Sequence, residues 1–156
     1  MDLNEKLSAH FTLAEMIKSE TAARKGIDNM PPDDLIPKLK HLCEELLEPI
    51  RNHYGVPIRP NSGYRGVELN KEVGGSKTSQ HCKAEAVDVE VPGVTNYDLA
   101  VWIKDNLKFD KLILEFYQPG VPGSGWVHVS LKADEEVNRE EVLTYSNRTF
   151  SNGLLA

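Results

Sequence analysis

Two histidines and an aspartate stand in or beside segments that otherwise read as β-strands. His81 and Asp88 lie in SQHCKAEAVDVEV (79–91), and His128 lies in GWVHVS (125–130). Strands favour β-branched and aromatic residues, so imidazole and carboxylate groups there suggest chemistry. Two imidazoles and one carboxylate suit Zn²⁺ and leave its fourth tetrahedral position for water. An ion held in this way acidifies its water and polarises a carbonyl group.

The spacing of residues in three predicted strands places these groups on one face of a sheet. The strands alternate with period two and cover Ala84–Val91, Lys111–Tyr117 and Trp126–Leu131. Successive side chains point to opposite faces, so each strand has one apolar face. The opposite face collects Asp88, Glu115 and His128.

A carboxylate that is not a ligand is needed to take the proton of the attacking water. The loop QPGVPGSG joins the second and third strands, so we expect an antiparallel hairpin. If Tyr117 lies opposite Trp126, Glu115 lies directly opposite His128, with Cβ atoms within roughly 5.5 Å, and a register shifted by two residues would still leave them diagonal neighbours. Glu115 is therefore the candidate base, whereas Asp110 and Glu90 read more simply as exposed surface charges. The alternative needs no metal: His81 is a solvated loop residue, and Asp88 and His128 form cross-strand hydrogen bonds.

The elements that must position these residues begin with helices. Thr12 and Glu15 have the spacing of a capping box, which predicts a helix from Leu13 to about Lys25. A longer amphipathic pattern follows from residue 35 to residue 54, and Pro49 should bend its last turn. A short helical turn over 68–73 and a helix over 96–107 complete the helical prediction. The sequence predicts an α+β fold, with N-terminal helices packed on one face of a small, mostly antiparallel sheet and the zinc site on the other face.

Length and composition suit one soluble domain. We assign residues 1–132 to it, with a helical half (1–56) and a sheet half (57–132), and residues 133–156 to a polar C-terminal extension that is surface-bound or loose. The formal charge of −6 argues against a nucleic-acid partner. No apolar run reaches membrane-spanning length, and the N-terminus lacks the layout of a secretory signal. Cys43 fits a helical core, and Cys82 is an improbable ligand beside His81.

The chain resembles the zinc D-alanyl-D-alanine carboxypeptidase family, which includes bacterial peptidoglycan peptidases and phage endolysins. The matching residues run SGYR, LN, VGG, SQH, A.D and WVH, from about HFTLAEM to Ser130. The hedgehog signalling domain shares this zinc fold. The resemblance implies that His81, Asp88 and His128 are the zinc ligands.

The resemblance also implies substrate-binding residues and exposes two departures. Arg65 would hold a substrate carboxylate or orient the scissile carbonyl, since its planar fork binds carboxylates bidentately. Ser79 would contribute loop hydrogen bonds or a substrate contact, and Trp126 would line the cleft. Many relatives have glycine where this chain has Ala84, which is acceptable if the φ angle there is negative. Well-studied members carry the base three residues before the last histidine, and that position is Gly125 here.

The sequence thus predicts a zinc-dependent peptidase that cleaves peptidoglycan stem peptides, as a carboxypeptidase or an endopeptidase of endolysin type. The alternatives are a non-catalytic zinc-containing cell-wall-binding or virion module and a metal-free structural protein. We expect a monomer made in the cytoplasm that acts on the cell wall after release, as an endolysin or a virion-associated enzyme. The sequence does not identify the bond that is cut or distinguish a phage from a bacterial origin.

Overall fold

A computed structural model describes residues 2–133 and 137–155. Its first helix, α1 (Leu13–Ile17), begins with the capping box that the sequence predicts: Thr12 accepts from the N–H of Glu15, and the Glu15 side chain accepts from the N–H of Thr12. The helix does not continue to Lys25 as predicted. Lys18 is extended (ψ 133°), and Ser19 caps a separate helix, α2 (Glu20–Lys25), with its side chain. The left-handed Gly26 ends α2.

A long helical segment follows and continues through Pro49. A 3₁₀ turn (Asp33–Leu35) leads into α3 (Ile36–Leu42), a π-helical turn (Cys43–Leu47) and α4 (Glu48–Tyr54). Pro49 has no N–H to continue the α-helical ladder. The turn before it widens, and the N–H of Glu48 donates to the carbonyl of Cys43, five residues earlier. The predicted distortion at Pro49 therefore takes the form of a π-bulge.

Two further helices flank the first strand. The short α5 (Val67–Glu72) lies close to the predicted helical turn, and α6 (Asn96–Asn106) starts at Thr95, whose side chain accepts from the N–H of Asp98. Among the described residues, no helix is both long enough and apolar enough to cross a membrane.

Five strands form one sheet in the order β1-β3-β2-β4-β5. They are β1 (Ala86–Val89), β2 (Lys111–Glu115), β3 (Trp126–Ser130), β4 (Glu141–Ser146) and β5 (Thr149–Asn152). All neighbours are antiparallel except β2 and β4, which are parallel. The predicted α+β fold with a mostly antiparallel sheet is confirmed.

One hydrophobic core joins the helices to one face of the sheet, as the period-two pattern predicts. The valines of β1 and β3 and the leucines of β2 are fully buried there. They belong to the same cluster as the apolar residues of the helices, which include Leu39, Leu46, Ile50, Leu99 and Ile103. Cys43 is part of this cluster, as predicted.

Two details of the sheet differ from the sequence prediction. Glu115 pairs with Trp126, and Ile113 pairs with His128, so the hairpin register is shifted by two residues. The strand ends early because Phe116 adopts a left-handed backbone (φ 56°). The polar C-terminal segment beyond Lys132, predicted to be surface-bound or loose, contains two ordered strands, β4 and β5, most of whose residues are exposed or only partly buried. Where the domain ends, at Lys132 or beyond, stays a prediction, and residues 134–136 lie outside the described chain.

Candidate metal centre

His81 lies in a short helical loop before β1. Ser79 begins a short 3₁₀ helix, Gln80–Lys83, and its hydroxyl accepts from the N–H of His81. The side chain of His81 is buried, and its Nδ1 lies 2.8 Å from the carbonyl oxygen of Gly63. A carbonyl only accepts, so Nδ1 carries the proton and Nε2 keeps its lone pair. Nε2 is the nitrogen that faces Asp88, at 3.4 Å from Oδ1.

Gly63 reaches His81 because it packs directly on the first helix. A Cβ atom at Gly63 would clash with the carbonyl oxygen of Met16. The N–H of Tyr64 donates to that same carbonyl, and the N–H of Arg65 donates to the carbonyl of His81. The SGYR segment (62–65) thus supports the imidazole of His81.

Asp88 and His128 face each other across two paired strands. They are directly opposite in the antiparallel pair of β1 and β3. Oδ1 of Asp88 lies 3.2 Å from Nδ1 of His128. The other side of Asp88 is fixed by Ser62, since the two residues form an isolated antiparallel bridge. The prediction that Asp88 and His128 share the face opposite the core is confirmed.

The three predicted ligands converge on one point. His81, Asp88 and His128 each offer one ligand atom, and these atoms all lie within 4.8 Å of one another. Ligand atoms about 2.0–2.1 Å from a tetrahedral Zn²⁺ lie about 3.3 Å apart. The two distances from Asp88 Oδ1, 3.4 Å to His81 and 3.2 Å to His128, match this value. The donor set and these two distances therefore fit a zinc ion, and the third pair of ligand atoms, on His81 and His128, lies within 4.8 Å.

Electrostatics favour the ionised form of Asp88. Burial alone would raise the pKa of this carboxyl group, but its contacts with the imidazoles of His128 and His81 outweigh burial and lower its pKa below the usual range. A carboxylate that is already ionised can bind a cation without first losing a proton.

Glu115 lies on the same face, one diagonal step from His128. The indole N–H of Trp126 donates to its Oε2 at 2.5 Å. The pKa of Glu115 is raised, first by burial and then by the negative charge of Asp88. A raised pKa brings a carboxylate closer to the range in which it exchanges protons efficiently near neutral pH. Because Ile113 is the residue that pairs with His128, Glu115 lies diagonally from His128, and not directly opposite it as the sequence predicted.

The residues predicted to bind substrate differ in their surroundings near the metal group, by which we mean His81, Asp88 and His128. The Arg65 guanidinium lies 3.4 Å from the hydroxyl of Ser79, through Nη2. Its Nε is buried and has no hydrogen-bond partner within residues 2–133 and 137–155. A buried donor of this kind is costly unless a ligand satisfies it. Trp126 is half-buried beside the ring of Phe116, with ring centroids 5.1 Å apart.

The sequence prediction missed the surroundings of Asp110. This residue is fully buried, so its interpretation as an exposed surface charge is wrong. Arg139 binds it through two guanidinium hydrogen bonds of 3.0 and 2.9 Å, and Gln80 donates to it at 2.9 Å. Burial alone would raise the pKa of Asp110, but these donors lower it to about 2. No periodic signal links the two partners, because Arg139 is 29 residues further along the chain.

Comparison with known proteins agrees with this geometry. The family model described as Peptidase M15 matches residues 9–130, which include every residue of the metal group and Glu115. No curated protein matches the chain. Members of this family are metallopeptidases. With its helices, sheet and His-Asp-His group, the chain is therefore a metallopeptidase, a hydrolase of peptide bonds, and belongs to the peptidase M15 family.

Proposed function

We propose that this metallopeptidase is a zinc enzyme that cleaves the stem peptides of peptidoglycan, as a D-alanyl-D-alanine carboxypeptidase or an endopeptidase of endolysin type. The observation that carries the proposal is the convergence of His81, Asp88 and His128 at distances that suit tetrahedral zinc. Because peptidoglycan lies outside the membrane, the proposal includes action on the cell wall after release from the cytoplasm, by a monomer.

In this proposal the three ligands hold the ion, Glu115 and Arg65 act on the water and the peptide, and Trp126 and Ser79 hold those two side chains in place. When bound, zinc supplies an acidified water and polarises the scissile carbonyl. Glu115 accepts the proton of the attacking water. Trp126 holds Oε2 of this carboxylate, which leaves Oε1 for the water. The proton then passes from Glu115 to the amine of the leaving residue.

Arg65 binds the carboxylate end of the peptide or the developing oxyanion. Its Nε donor is buried and unpaired within the described chain. The planar guanidinium can donate two hydrogen bonds to a carboxylate or stabilise the negative charge of an oxyanion. Ser79 holds this guanidinium near the loop that carries His81, which places the substrate beside the ligands.

The proposal is tested by metal analysis and by turnover of purified muropeptides. We expect one zinc per chain and release of a stem-peptide fragment by the wild-type protein. Glu115→Gln should keep the metal, because Glu115 is not a ligand, and should lower kcat by at least about 100-fold, since general base catalysis contributes about 10²–10⁴-fold.

Glu90→Gln is the matched control, because Glu90 is a half-buried carboxylate whose oxygens are occupied by the amides of Asn61 and Asn96. Loss of activity in Glu90→Gln and not in Glu115→Gln would reassign the base. A wild-type protein that holds zinc yet releases no product from any stem peptide would refute cleavage of peptidoglycan and restore the non-catalytic cell-wall-binding module.

A further inference from the structure

His128 has a partner on each ring nitrogen. Nδ1 faces Asp88, and Nε2 lies 3.3 Å from Oε1 of Gln80. A neutral imidazole has one N–H donor and one lone pair, and only the nitrogen with the lone pair can bind a metal. The partner of Nε2 therefore decides whether Nδ1 can serve as a ligand.

The orientation of the Gln80 amide is set from its other end. Its Nε2 donates to Oδ2 of Asp110 at 2.9 Å. An ionised carboxylate only accepts hydrogen bonds, so the amide must present its NH₂ group to Asp110. Its oxygen must then point towards His128. Facing that oxygen, Nε2 of His128 has to be the donor, and Nδ1 of the neutral imidazole is left with the lone pair, which a cation between it and Asp88 would take up.

Asp110 is in turn kept ionised and immobile. It is fully buried, yet it accepts three hydrogen bonds from Arg139, from the backbone N–H, Nε and Nη2. Paired hydrogen bonds from an arginine fork fix both the charge and the rotation of a carboxylate. Its own backbone is also held, because its N–H donates to Ser130 and its carbonyl accepts from Glu141.

We propose that Arg139, Asp110 and Gln80 form a relay that selects the Nε2–H tautomer of His128 and so aims Nδ1 at the metal. The proposal rests on the function proposed above, since it assumes that His128 is a ligand. Gln80 and Asp110 are positioning residues and do not touch the ion or the substrate. The carbonyl of Gly63 has the same role for His81: it accepts a hydrogen bond from Nδ1, which leaves Nε2 as the nitrogen with the lone pair. Outer hydrogen bonds of this kind orient metal-bound histidines and tune their affinity.

The first test replaces Gln80 by leucine, which fills similar space and cannot accept a hydrogen bond. The zinc Kd, measured by competition with a chromophoric chelator, should rise about 10- to 100-fold. In the zinc-loaded protein, proton–nitrogen NMR of the labelled imidazoles should show a slowly exchanging Nε2–H for His128 in the wild type, and this signal should be lost in the variant. Gln118→Leu is the matched control, because Gln118 is exposed in the loop between β2 and β3.

A second test reverses the donors and acceptors of the relay. Gln80→Glu sets a carboxylate against Asp110 and should weaken zinc binding through repulsion. Adding Asp110→Asn gives an amide that donates to the new carboxylate at position 80, whose free oxygen again accepts from His128, although the same NH₂ group then faces Nη2 of Arg139, which is also a donor. The double variant should therefore bind zinc more tightly than Gln80→Glu alone and less tightly than the wild type, a coupling that separate structural losses would not produce.

The outcomes separate the relay from the peptidase. Unchanged zinc affinity and an unchanged Nε2–H signal in Gln80→Leu would overturn the relay and leave the peptidase proposal standing. A double variant that is weaker than both single variants would also overturn it. If the wild type binds zinc but cleaves nothing, the peptidase proposal fails, and the affinity and NMR readouts still support or reject the relay. A wild type that binds no zinc overturns both.

Discussion

Ala84 shows how tightly the loop of the site is constrained at a single residue. It ends the 3₁₀ helix that carries His81, with φ 56° and ψ 39°. The sequence interpretation required a negative φ at this alanine, and that expectation is wrong. A left-handed L-residue costs roughly 1–2 kcal/mol. Its buried methyl group offsets about 0.8 kcal/mol of this, and glycine would lose a further amount of roughly 0.5–1 kcal/mol in chain entropy. Alanine is therefore acceptable where relatives have glycine.

We expect Ala84→Gly to change the free energy of unfolding by less than about 1 kcal/mol, because these effects nearly cancel. Ala84→Val should lose at least about 2 kcal/mol, since a β-branched residue is strained at positive φ and overfills a site that is 1% exposed. Urea denaturation of the two variants beside the wild type measures both values. A valine variant as stable as the wild type would contradict the left-handed backbone.

The convergence of the candidate ligands was predictable at this scale, and their supports were not. Residue types singled out His81, Asp88 and His128, strand alternation placed Asp88 and His128 on one face, and the resemblance implied that all three are ligands. Burial of Asp110 has no local signal, because a carboxylate before a strand is usually solvated. Its partner Arg139 contacts it only through the tertiary structure.

At the level of elements, the end of β2 explains why the family's usual base position is empty. Gly125 has φ 69°, and a Cβ atom there would clash with the carbonyl oxygen of Glu115 and lie 2.7 Å from the backbone nitrogen of Tyr117. Both are backbone atoms, so they cannot move aside as a flexible side chain would. A glutamate at this position does not fit the present backbone. In our proposal the carboxylate of the site comes instead from the neighbouring strand, as Glu115.

Gly125→Ala should therefore destabilise the protein by about 3 kcal/mol, through a backbone clash and a strained φ. Gly123→Ala is the matched control in the same loop, since a Cβ atom there meets nothing within 4 Å. Thermal unfolding followed by circular dichroism compares the two. Equal melting temperatures for the two variants would show that the strand end rearranges easily, and would reopen position 125 to a base.

Most elements followed from periodicity, and the exceptions have physical causes. The split between α1 and α2 was missed because Lys18 and Ser19 do not interrupt the apolar pattern. Strands β4 and β5 were missed because most of their residues are only partly buried or exposed, which weakens the period-two signal. The two-residue register shift reflects the left-handed Phe116, a conformation that aromatic residues rarely adopt.

On the scale of the whole molecule, Asp110 ties distant parts of the chain together. It joins the loop of Gln80, the start of β2 and the segment of Arg139 that leads into β4. The C-terminal segment thus reaches the surroundings of the metal group through one buried carboxylate. This connection also makes the stability of the fold depend on the charge of Asp110.

The folded state lowers the pKa of Asp110 from 3.8 to about 2, so its contribution is fully present above about pH 5 and is lost as the pH falls through about 2. The loss should amount to about 2 kcal/mol, since one pKa unit corresponds to about 1.4 kcal/mol. Urea unfolding at a series of pH values should show a shallower acid loss for Asp110→Asn than for the wild type. Asp105→Asn, at an exposed residue, should follow the wild type. Identical slopes for all three proteins would contradict the depressed pKa.

The pairing of β1 with β3 also has a kinetic consequence. Asp88 and His128 are 40 residues apart, and they meet only when a long intervening segment closes. Closing a loop of that length costs about 3 kcal/mol of chain entropy, so we expect Asp88 and His128 to come together late in folding. A cation bound between them would have little influence on the early steps. It would instead stabilise the native state after folding, so a bound cation should lower the unfolding rate.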